Sequence, residues 1–340
     1  MKILVTGATG FLGGAVVERL LARGERDLRV TARSGAKRDR IQAAAARYPD
    51  ARIEYVATNL SVPAETRSAM QGVDVVYHLA ASMKGAPADM FLNTVVASKH
   101  LMEAAASAHV RRVVLCSSFS VFGVAALPRG SVVDENTPLE SFPERRDVYA
   151  QAKLRQESLC RELAAQHGIE LTVLRPGVIY GEGGSALSTR VGLDLFGLYL
   201  SLGGKNLLPL AYVENCADAI VVAGQSAQAA GQTYNVHDDD LPTCAAFLAA
   251  YQKQVSPLRV LTVPYRVLAL ISYGLQAYHR WSKGQLPAIF TPYKVAAIWG
   301  GNHFDNAKMK SLGWQPLVST EEAMQRTFTW LREKGRAGSH

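Results

Sequence analysis

Lys2-Ile-Leu-Val-Thr-Gly-Ala-Thr-Gly-Phe-Leu-Gly13 is the stretch on which the fold depends. Its apolar run predicts a buried β-strand over residues 3–5, and the apolar spacing after it predicts a helix. Between the two, Gly7, Gly10 and Gly13 stand three residues apart. Glycines at a strand-to-helix turn let the backbone approach a pyrophosphate and present free N–H groups to it. The stretch therefore predicts a phosphate-binding turn, with an ordinary tight turn as the alternative.

The composition sets broad limits on the class of protein. With 340 residues the chain is long enough for one large domain or two smaller ones. No apolar run reaches the length of a transmembrane helix, so we expect no stable membrane insertion. The formal charge of +8 is spread along the chain without interleaved aromatic residues, which argues against a nucleic-acid partner. Four scattered cysteines indicate neither a metal site nor disulfides, and we expect a cytoplasmic protein.

Basic residues follow the second predicted strand, which covers residues 28–32. In a dinucleotide fold the end of this strand meets the adenosine ribose, where a carboxylate binds the 2′-hydroxyl and an arginine accommodates a 2′-phosphate. This chain has Arg33 there, with Ser34, Lys37 and Arg38 as further donors. The pattern favours NADP(H) over NAD(H). The alternative is that these basic residues are only the solvated start of a helix. In that case the choice between NADP(H) and NAD(H) stays open.

Strands and helices alternate through the first half of the chain. Further strands are predicted over residues 52–56, 74–79 and 112–117, with a helix over 93–108. Such alternation is typical of an α/β fold, a Rossmann-type doubly wound parallel sheet that is covered on both faces.

A serine from an adjacent pair, a tyrosine and a lysine form the candidate catalytic set at and after the end of the fifth strand. That strand ends at Ser117 and Ser118, and Tyr149 and Lys153 follow on a predicted helix at the i, i+4 spacing that puts both on one face. A lysine ammonium near a tyrosine stabilises the phenolate and so lowers the tyrosine pKa, and a serine hydroxyl can hold the substrate oxygen. The set suits hydride transfer at a carbinol carbon. An exposed tyrosine with a helix lysine is the alternative.

The motifs together resemble the extended short-chain dehydrogenase/reductases, the NAD-dependent epimerase/dehydratase family. The segments that carry this resemblance are Thr6-Gly-Ala-Thr-Gly-Phe-Leu-Gly13, His78-Leu-Ala-Ala81, Ser117-Ser-Phe-Ser-Val-Phe-Gly123, Asp134-Glu-Asn-Thr-Pro138, Tyr149 with Lys153, Arg175-Pro-Gly-Val-Ile-Tyr-Gly181, Tyr212-Val-Glu-Asn215 and Leu312-Gly-Trp-Gln-Pro316. The resemblance implies an NAD(P)-binding Rossmann domain over residues 1–181, to which 211–237 return. It also implies a smaller, mostly helical substrate-binding domain formed by 182–210 and 238–334.

The resemblance also implies a site. Chemistry is expected from Ser118, Tyr149 and Lys153, with Ser118 preferred over Ser117 because it stands three residues before Val121, where the family has its catalytic Ser or Thr. No metal is expected. The expected cofactor-binding residues are Gly7, Thr9, Gly10, Phe11, Leu12, Gly13, Arg33, Ser34, Lys37, Arg38, Asn59, Leu60, Leu79, Ala80, Ala81, Ser117, Tyr149, Lys153, Pro176 and Val178. A homodimer is expected through the helices that begin near Asn93 and Tyr149.

Departures from the family pattern narrow the substrate. Phe119 and Ser120 stand where dehydratases have an acidic pair, so dehydration is not expected. Gly177 replaces the asparagine with which nucleotide-sugar epimerases hold a diphosphate, and Leu207-Leu-Pro-Leu210 replaces a basic residue. The chain is therefore more similar to the 3β-hydroxysteroid dehydrogenase and dihydroflavonol reductase-like branch. Asn59 in place of the usual Asp weakens the expected adenine contact.

We therefore expect an NADP(H)-preferring oxidoreductase that interconverts a secondary alcohol and a ketone on a bulky, largely apolar small molecule, steroid-, flavonoid- or lipid-like. Two alternatives stay open: a nucleotide-sugar 4-epimerase or reductase, and a non-catalytic NADP-binding sensor.

The second half of the chain is rich in aromatic residues, which are more often core than binding surface. Residues 268–278, flanked by Arg266, Arg280 and Lys283, predict an amphipathic helix at the mouth of the cleft. Such a helix could admit a lipid-like substrate or make a peripheral membrane contact. Ser319-Thr-Glu-Glu322 is the capping box of a last helix over 320–334.

Overall fold

The computed structural model describes residues 1–33, 38–185, 187–282 and 290–337. The first half alternates strands and helices as the sequence predicts. Its elements are β1 (Ile3–Thr6), α1 (Phe11–Ala22), β2 (Asp27–Ala32), α2 (Asp39–Arg47), β3 (Arg52–Ala57), α3 (Pro63–Met70), β4 (Val75–His78), α4 (Pro87–Phe91), α5 (Ala97–Ser107), β5 (Arg112–Cys116), β6 (Val132–Val133), α6 (Val148–His167) and β7 (Glu170–Pro176).

The second half is more irregular. Its elements are β8 (Val178–Tyr180), β9 (Gly192–Leu195), β10 (Leu198–Ser201), β11 (Leu210–Tyr212), α7 (Val213–Gln225), β12 (Thr233–Val236), α8 (Cys244–Gln254), β13 (Arg259–Thr262), α9 (Tyr265–Trp281), α10 (Pro292–Trp299), β14 (His303–Phe304), α11 (Ala307–Lys310) and α12 (Thr320–Ala337). Among the described helices, none has the length and apolar character that crossing a bilayer demands.

Seven parallel strands form the central sheet, in the order β12-β7-β5-β4-β1-β2-β3. The chain leaves β1 toward β2 on one side and returns to β4 on the other, so the strand order reverses beside β1. In open α/β sheets ligands bind outside the carboxyl ends of the strands at such a reversal. The predicted α/β Rossmann-type fold is confirmed, and the ends of β1 and β4 are where a dinucleotide would lie.

Both faces of the sheet are covered because its strands are apolar on both sides. Ile3 and Val5 of β1 pack in one cluster with α1 and α7. Leu4, which points the opposite way, packs with α5 and α6. Asp218 of α7 accepts hydrogen bonds from Arg19 of α1 and from Arg23, the residue that follows α1, at 2.6 and 2.8 Å, and joins the two helices on the first face.

A three-stranded sheet, β13-β10-β9, lies in the region assigned to substrate binding and was not predicted. Its hairpin turns through Phe196 and Gly197, both with positive φ. The Asp194 carboxylate accepts a hydrogen bond from the Gly197 N–H at 3.0 Å. The usual sequence signal for such a turn is Asn-Gly or Asp-Gly. Phe-Gly is not such a signal, so the sequence did not predict this hairpin. The predicted division into two domains stays a prediction, although β12 does pair with β7 in the main sheet.

Candidate active site

The glycine turn after β1 fits a phosphate. A Cβ added at Gly13 would lie 2.0 Å from the Gly7 carbonyl oxygen, so only glycine allows this close packing. Helix α1 begins at Phe11 with no side-chain cap and no acidic residue in its first turn. Its first N–H groups therefore remain for an external acceptor, and the helix dipole favours an anion there.

The ribose side of the predicted cofactor site is only partly described. Arg33 is exposed directly after β2. The Arg38 guanidinium lies 5.0 Å from the centre of the Tyr55 ring. Ser34 and Lys37 lie outside the described residues. The Asn59 amide oxygen accepts hydrogen bonds from the N–H and the hydroxyl of Ser61, so this side chain organises its own loop.

The other predicted cofactor residues lie on loops or element ends at the carboxyl edge of the sheet. They are Thr9, Gly10, Phe11 and Leu12 at the start of α1, Leu60 after β3, Leu79, Ala80 and Ala81 after β4, Ser117 after β5, and Pro176 and Val178 where β7 meets β8. The fold thus brings these segments to one edge, as a dinucleotide site requires.

Tyr149 and Ser118 meet beside the end of β5. The Asp147 carboxylate caps α6 by accepting a hydrogen bond from the Ala150 N–H at 3.0 Å, and this sets Tyr149 in the first helical turn. Burial raises the pKa of the Tyr149 phenol to about 12, although a hydrogen bond with the Ser118 hydroxyl acts in the opposite direction. At neutral pH the phenol therefore carries its proton.

Lys153 lies one turn further along α6 and is buried. Its ammonium donates hydrogen bonds to the Cys116 carbonyl oxygen at 2.8 Å and to Oε1 of Gln156 at 2.9 Å. Burial lowers the pKa of Lys153. We expected Lys153 to lower the pKa of Tyr149, and in this structure that pKa is raised instead. The reason is that burial of the phenol dominates while the ammonium is hydrogen-bonded elsewhere.

A buried polar chain connects Lys153 to the glycine turn. Gln156 Nε2 donates to the Ser98 hydroxyl at 2.8 Å, and that hydroxyl donates to the Thr94 carbonyl at 2.6 Å. His78 Nε2, 2.7 Å from the same hydroxyl, must therefore carry the ring proton. His78 Nδ1 then accepts from the Thr6 hydroxyl at 2.8 Å. Burial, helped by the charge on Lys153, lowers the pKa of His78 to about 3, so the ring is neutral.

Ser117 belongs to a separate network. Its hydroxyl donates to Glu157 Oε2 at 2.5 Å, and Glu157 also pairs with Arg175 at 2.6 Å and Arg161 at 2.8 Å. Burial alone would raise the pKa of Glu157, but the hydrogen bond and charge of Arg175 outweigh it and hold that pKa low. Because Ser117 is occupied here, Ser118 is the serine that faces Tyr149.

Three polar residues of these networks were missed at the sequence level: Ser98, Gln156 and Glu157. Gln156 and Glu157 stand three and four residues after Lys153, so helical spacing alone places them near its face. Nothing comparable points to Ser98, which reaches Gln156 from another helix. Within the described residues, no group of three His, Cys, Asp or Glu side chains could hold a metal ion.

Comparison with known proteins agrees with this geometry. The sequence profile of the NAD dependent epimerase/dehydratase family matches residues 3–236, which is more than half of the chain. The chain belongs to this family, the extended short-chain dehydrogenase/reductases. It is thus an NAD(P)-dependent oxidoreductase of that family, and an NAD(P) cofactor is typical of its members.

Individual relatives are distant. The chain is 27% identical to an uncharacterized protein of Escherichia coli K12, over 99% of each chain. It is 26% identical to a 3-beta-hydroxysteroid dehydrogenase of Mycolicibacterium neoaurum, over 95% of this chain and 89% of that one. It is 25% identical to the decarboxylating sterol-4-alpha-carboxylate 3-dehydrogenase of Homo sapiens, over 98% of this chain and 89% of that one.

Solved structures share the fold. A short-chain dehydrogenase/reductase superfamily protein of Agrobacterium tumefaciens with bound NAD is 22% identical, with a TM-score of 0.70 over 100% of this chain and 99% of that one. The UDP-glucose 4-epimerase of Thermus thermophilus in complex with NAD is 21% identical, with a TM-score of 0.72 over 98% and 99% of the two chains.

Proposed function

We propose that this protein interconverts a secondary alcohol and a ketone on a bulky, largely apolar small molecule of steroid-, flavonoid- or lipid-like character, with NADP(H) preferred. The observation that carries the proposal is the placement of the Tyr149 phenol beside the Ser118 side chain, with Lys153 one helical turn away. A phenol, a hydroxyl and an ammonium at the carboxyl edge of such a sheet suit proton exchange with a carbinol oxygen.

The roles divide as follows. The nicotinamide cofactor, when bound, supplies or accepts the hydride at its C4. Tyr149 gives its proton to the carbonyl oxygen in reduction and takes it back in oxidation. Ser118 holds that oxygen by a hydrogen bond. Lys153 uses two of its three N–H groups within the protein, which leaves the third for the ribose hydroxyls of the cofactor.

The apolar character of the substrate is supported at the turn between β7 and β8. A Cβ added at Gly177 would lie 2.1 Å from the Pro209 carbonyl oxygen, so the asparagine that grips a diphosphate in epimerases does not fit here. The adjoining segment, residues 207–210, consists of three leucines and a proline. Their side chains offer no polar group to a diphosphate. Two relatives are named for steroid or sterol substrates.

Preference for NADP(H) is supported by the basic residues after β2. Arg33 is exposed there and Arg38 lies over the Tyr55 ring, so two guanidinium groups are available to a 2′-phosphate. No carboxylate stands at this position to hold a free 2′-hydroxyl.

The test is NADPH oxidation with a panel of steroid, flavonoid and aliphatic ketones. We expect turnover that falls by a factor of about 10² to 10⁴ in Tyr149→Phe, because the proton donor is lost. Tyr251→Phe, at a tyrosine of α8 whose ring packs against Phe328 of α12, is the matched control and should keep full activity. Epimerisation of a nucleoside-diphosphate sugar would favour the epimerase instead. Cofactor binding without turnover of any carbonyl would favour a sensor.

A further inference from the structure

Helix α9 has an apolar side that no described part of the chain covers. Its inner side is buried at Leu268 and Ser272. On the opposite side Val267, Leu270, Gly274, Tyr278 and Trp281 follow one another at intervals of three and four residues, which aligns them in one stripe. We call these five residues the outer stripe. Leu270 is 73% exposed and Trp281 is 78% exposed, so the stripe faces solvent.

The apolar surface extends beyond the outer stripe. Ile271, Tyr273 and Leu275 beside it are also exposed. The helix has 17 residues, which corresponds to a length of about 25 Å. A surface helix normally carries polar residues opposite its buried side, and scattered single apolar residues would need no explanation. A continuous stripe of this length indicates a docking surface.

The chain on both sides of α9 carries charges of one sign. Between Leu241 and Phe304 the chain contains no Asp or Glu, and it has six basic residues, Lys253, Arg259, Arg266, Arg280, Lys283 and Lys294. Arg266 and Arg280 lie near the two ends of α9 and are exposed; Lys283 falls outside the described residues. Their helical positions place both arginines along the same edge of the outer stripe. The segment is therefore complementary to an anionic surface.

A second copy of this chain is a poor occupant for this surface. A symmetric contact through the outer stripe would bring the arginines of both copies together, and no acidic residue of 241–304 could pair with them. An anionic bilayer provides what the helix lacks, because its acyl region takes the apolar stripe and its headgroups take the arginines.

We propose that α9 docks on an anionic phospholipid membrane, lying in the plane of its surface with the outer stripe in the acyl boundary and Arg266 and Arg280 among the headgroups. The helix packs on α10, and α10 packs on the turn Val124–Ala126, which follows the Ser118 segment. Docking would therefore bring the membrane to elements that border the candidate site. The proposal does not rest on the oxidoreductase activity.

The test is flotation of the full chain with vesicles of phosphatidylcholine mixed with phosphatidylglycerol, compared with phosphatidylcholine alone. We expect binding to the mixed vesicles and at least about tenfold less for Leu270→Glu, which puts a charge into the outer stripe. Arg266→Gln and Arg280→Gln should each weaken binding about fivefold. Leu317→Glu makes the same change at a leucine outside α9 that is 48% exposed, and should bind like the unchanged protein.

A second measurement uses the fluorescence of Trp281. Its emission should shift to the blue when mixed vesicles are added, and the shift should be absent in Trp281→Phe. The substituted side chains are exposed, so circular dichroism and the thermal midpoint should match the unchanged protein.

Equal vesicle binding by Leu270→Glu and the unchanged protein would overturn the proposal, as would no binding to either vesicle. Self-association that Leu270→Glu abolishes, without lipid binding, would assign the stripe to a second copy. Turnover of a water-soluble ketone, assayed without vesicles, reports on the proposed function separately.

Discussion

Tyr149 determines how the proposed reaction depends on pH. Burial raises the pKa of its phenol to about 12, so the proton donor for ketone reduction is present throughout the neutral range. Oxidation needs the phenolate, whose population rises tenfold per pH unit below the pKa. We expect kcat/KM for alcohol oxidation to rise about tenfold per unit from about pH 7 to 10, while kcat/KM for reduction stays level. Initial rates in both directions, in buffers of constant ionic strength, measure this.

The pH dependence of alcohol oxidation differs between what the structure predicts and what the sequence alone predicts. A lysine beside the phenol would lower the pKa and give a plateau of oxidation near neutral pH. In the structure the Lys153 ammonium donates to Cys116 and Gln156, and Ser118 rather than Lys153 is the neighbour that favours ionisation of the phenol. A plateau below about pH 9 would show that the phenol ionises more easily than its burial allows. Tyr149→Phe provides the baseline at every pH.

For individual residues of the candidate site, the sequence predicted which residue types take part better than it predicted which side chains contact each other. Two adjacent serines follow β5, and spacing alone cannot say which one reaches Tyr149. The choice of Ser118 came from the family resemblance, and its physical reason is that Glu157 engages the Ser117 hydroxyl. That carboxylate comes from α6, 40 residues further along the chain. Contacts of this kind depend on how a helix packs on the sheet, which local patterns do not encode.

At the scale of helices and strands, Gln156 connects neighbouring elements and holds the Lys153 ammonium by a hydrogen bond. It accepts from the Lys153 ammonium and donates to Ser98, so it ties α6 to α5 and, through His78, to β4. Gln156→Leu removes both hydrogen bonds and leaves two buried polar groups without this partner, which should cost about 1–3 kcal/mol of stability. The ammonium, which then keeps only its hydrogen bond to the Cys116 carbonyl, can move away from Tyr149. We expect kcat for the ketone to fall about tenfold. Thermal unfolding and steady-state kinetics measure the two effects.

The matched variants distinguish positioning from stability. Gln156→Glu keeps an acceptor for Lys153 and should retain more of kcat than Gln156→Leu. Gln166→Leu, the same change at an exposed position of α6, should leave both stability and kcat unchanged. If Gln156→Leu lowers the thermal midpoint while kcat stays as before, Gln156 is a structural residue only.

The regular elements were predictable because their signals are local. The buried strands β1 and β5 read as short apolar runs, and α6 begins at a capping aspartate. The exceptions have no local signal. Residues Leu92–Val96 form a π-helical turn inside what the sequence presents as one continuous helix. The β9–β10 hairpin turns at Phe196, a residue type that rarely adopts a positive φ. In both places packing overrides the local preference.

On the scale of the whole molecule, α5 and α6 offer a surface for a second copy. They pack on each other on one face of the sheet. Leu92 and Val96, in the turn that leads into α5, are exposed, and Leu154 of α6 is half-buried. Two helices from each copy could bury these apolar residues in a symmetric four-helix contact. This is the arrangement that the family resemblance implies, so we expect a homodimer with twice the chain mass of 36.8 kDa.

Like charges introduced on both copies provide the test of that dimer. Because the contact is symmetric, Leu92→Glu with Val96→Glu places four carboxylates in one apolar interface, where like charges are strongly unfavourable. Sedimentation velocity at micromolar concentration should show the dimer for the unchanged protein and a monomer for this double variant. Leu270→Glu should sediment as a dimer, because α9 takes no part in the proposed contact. A monomer for the unchanged protein would refute the expectation, and a dimer that Leu270→Glu alone dissociates would move the interface from α5 and α6 to the outer stripe.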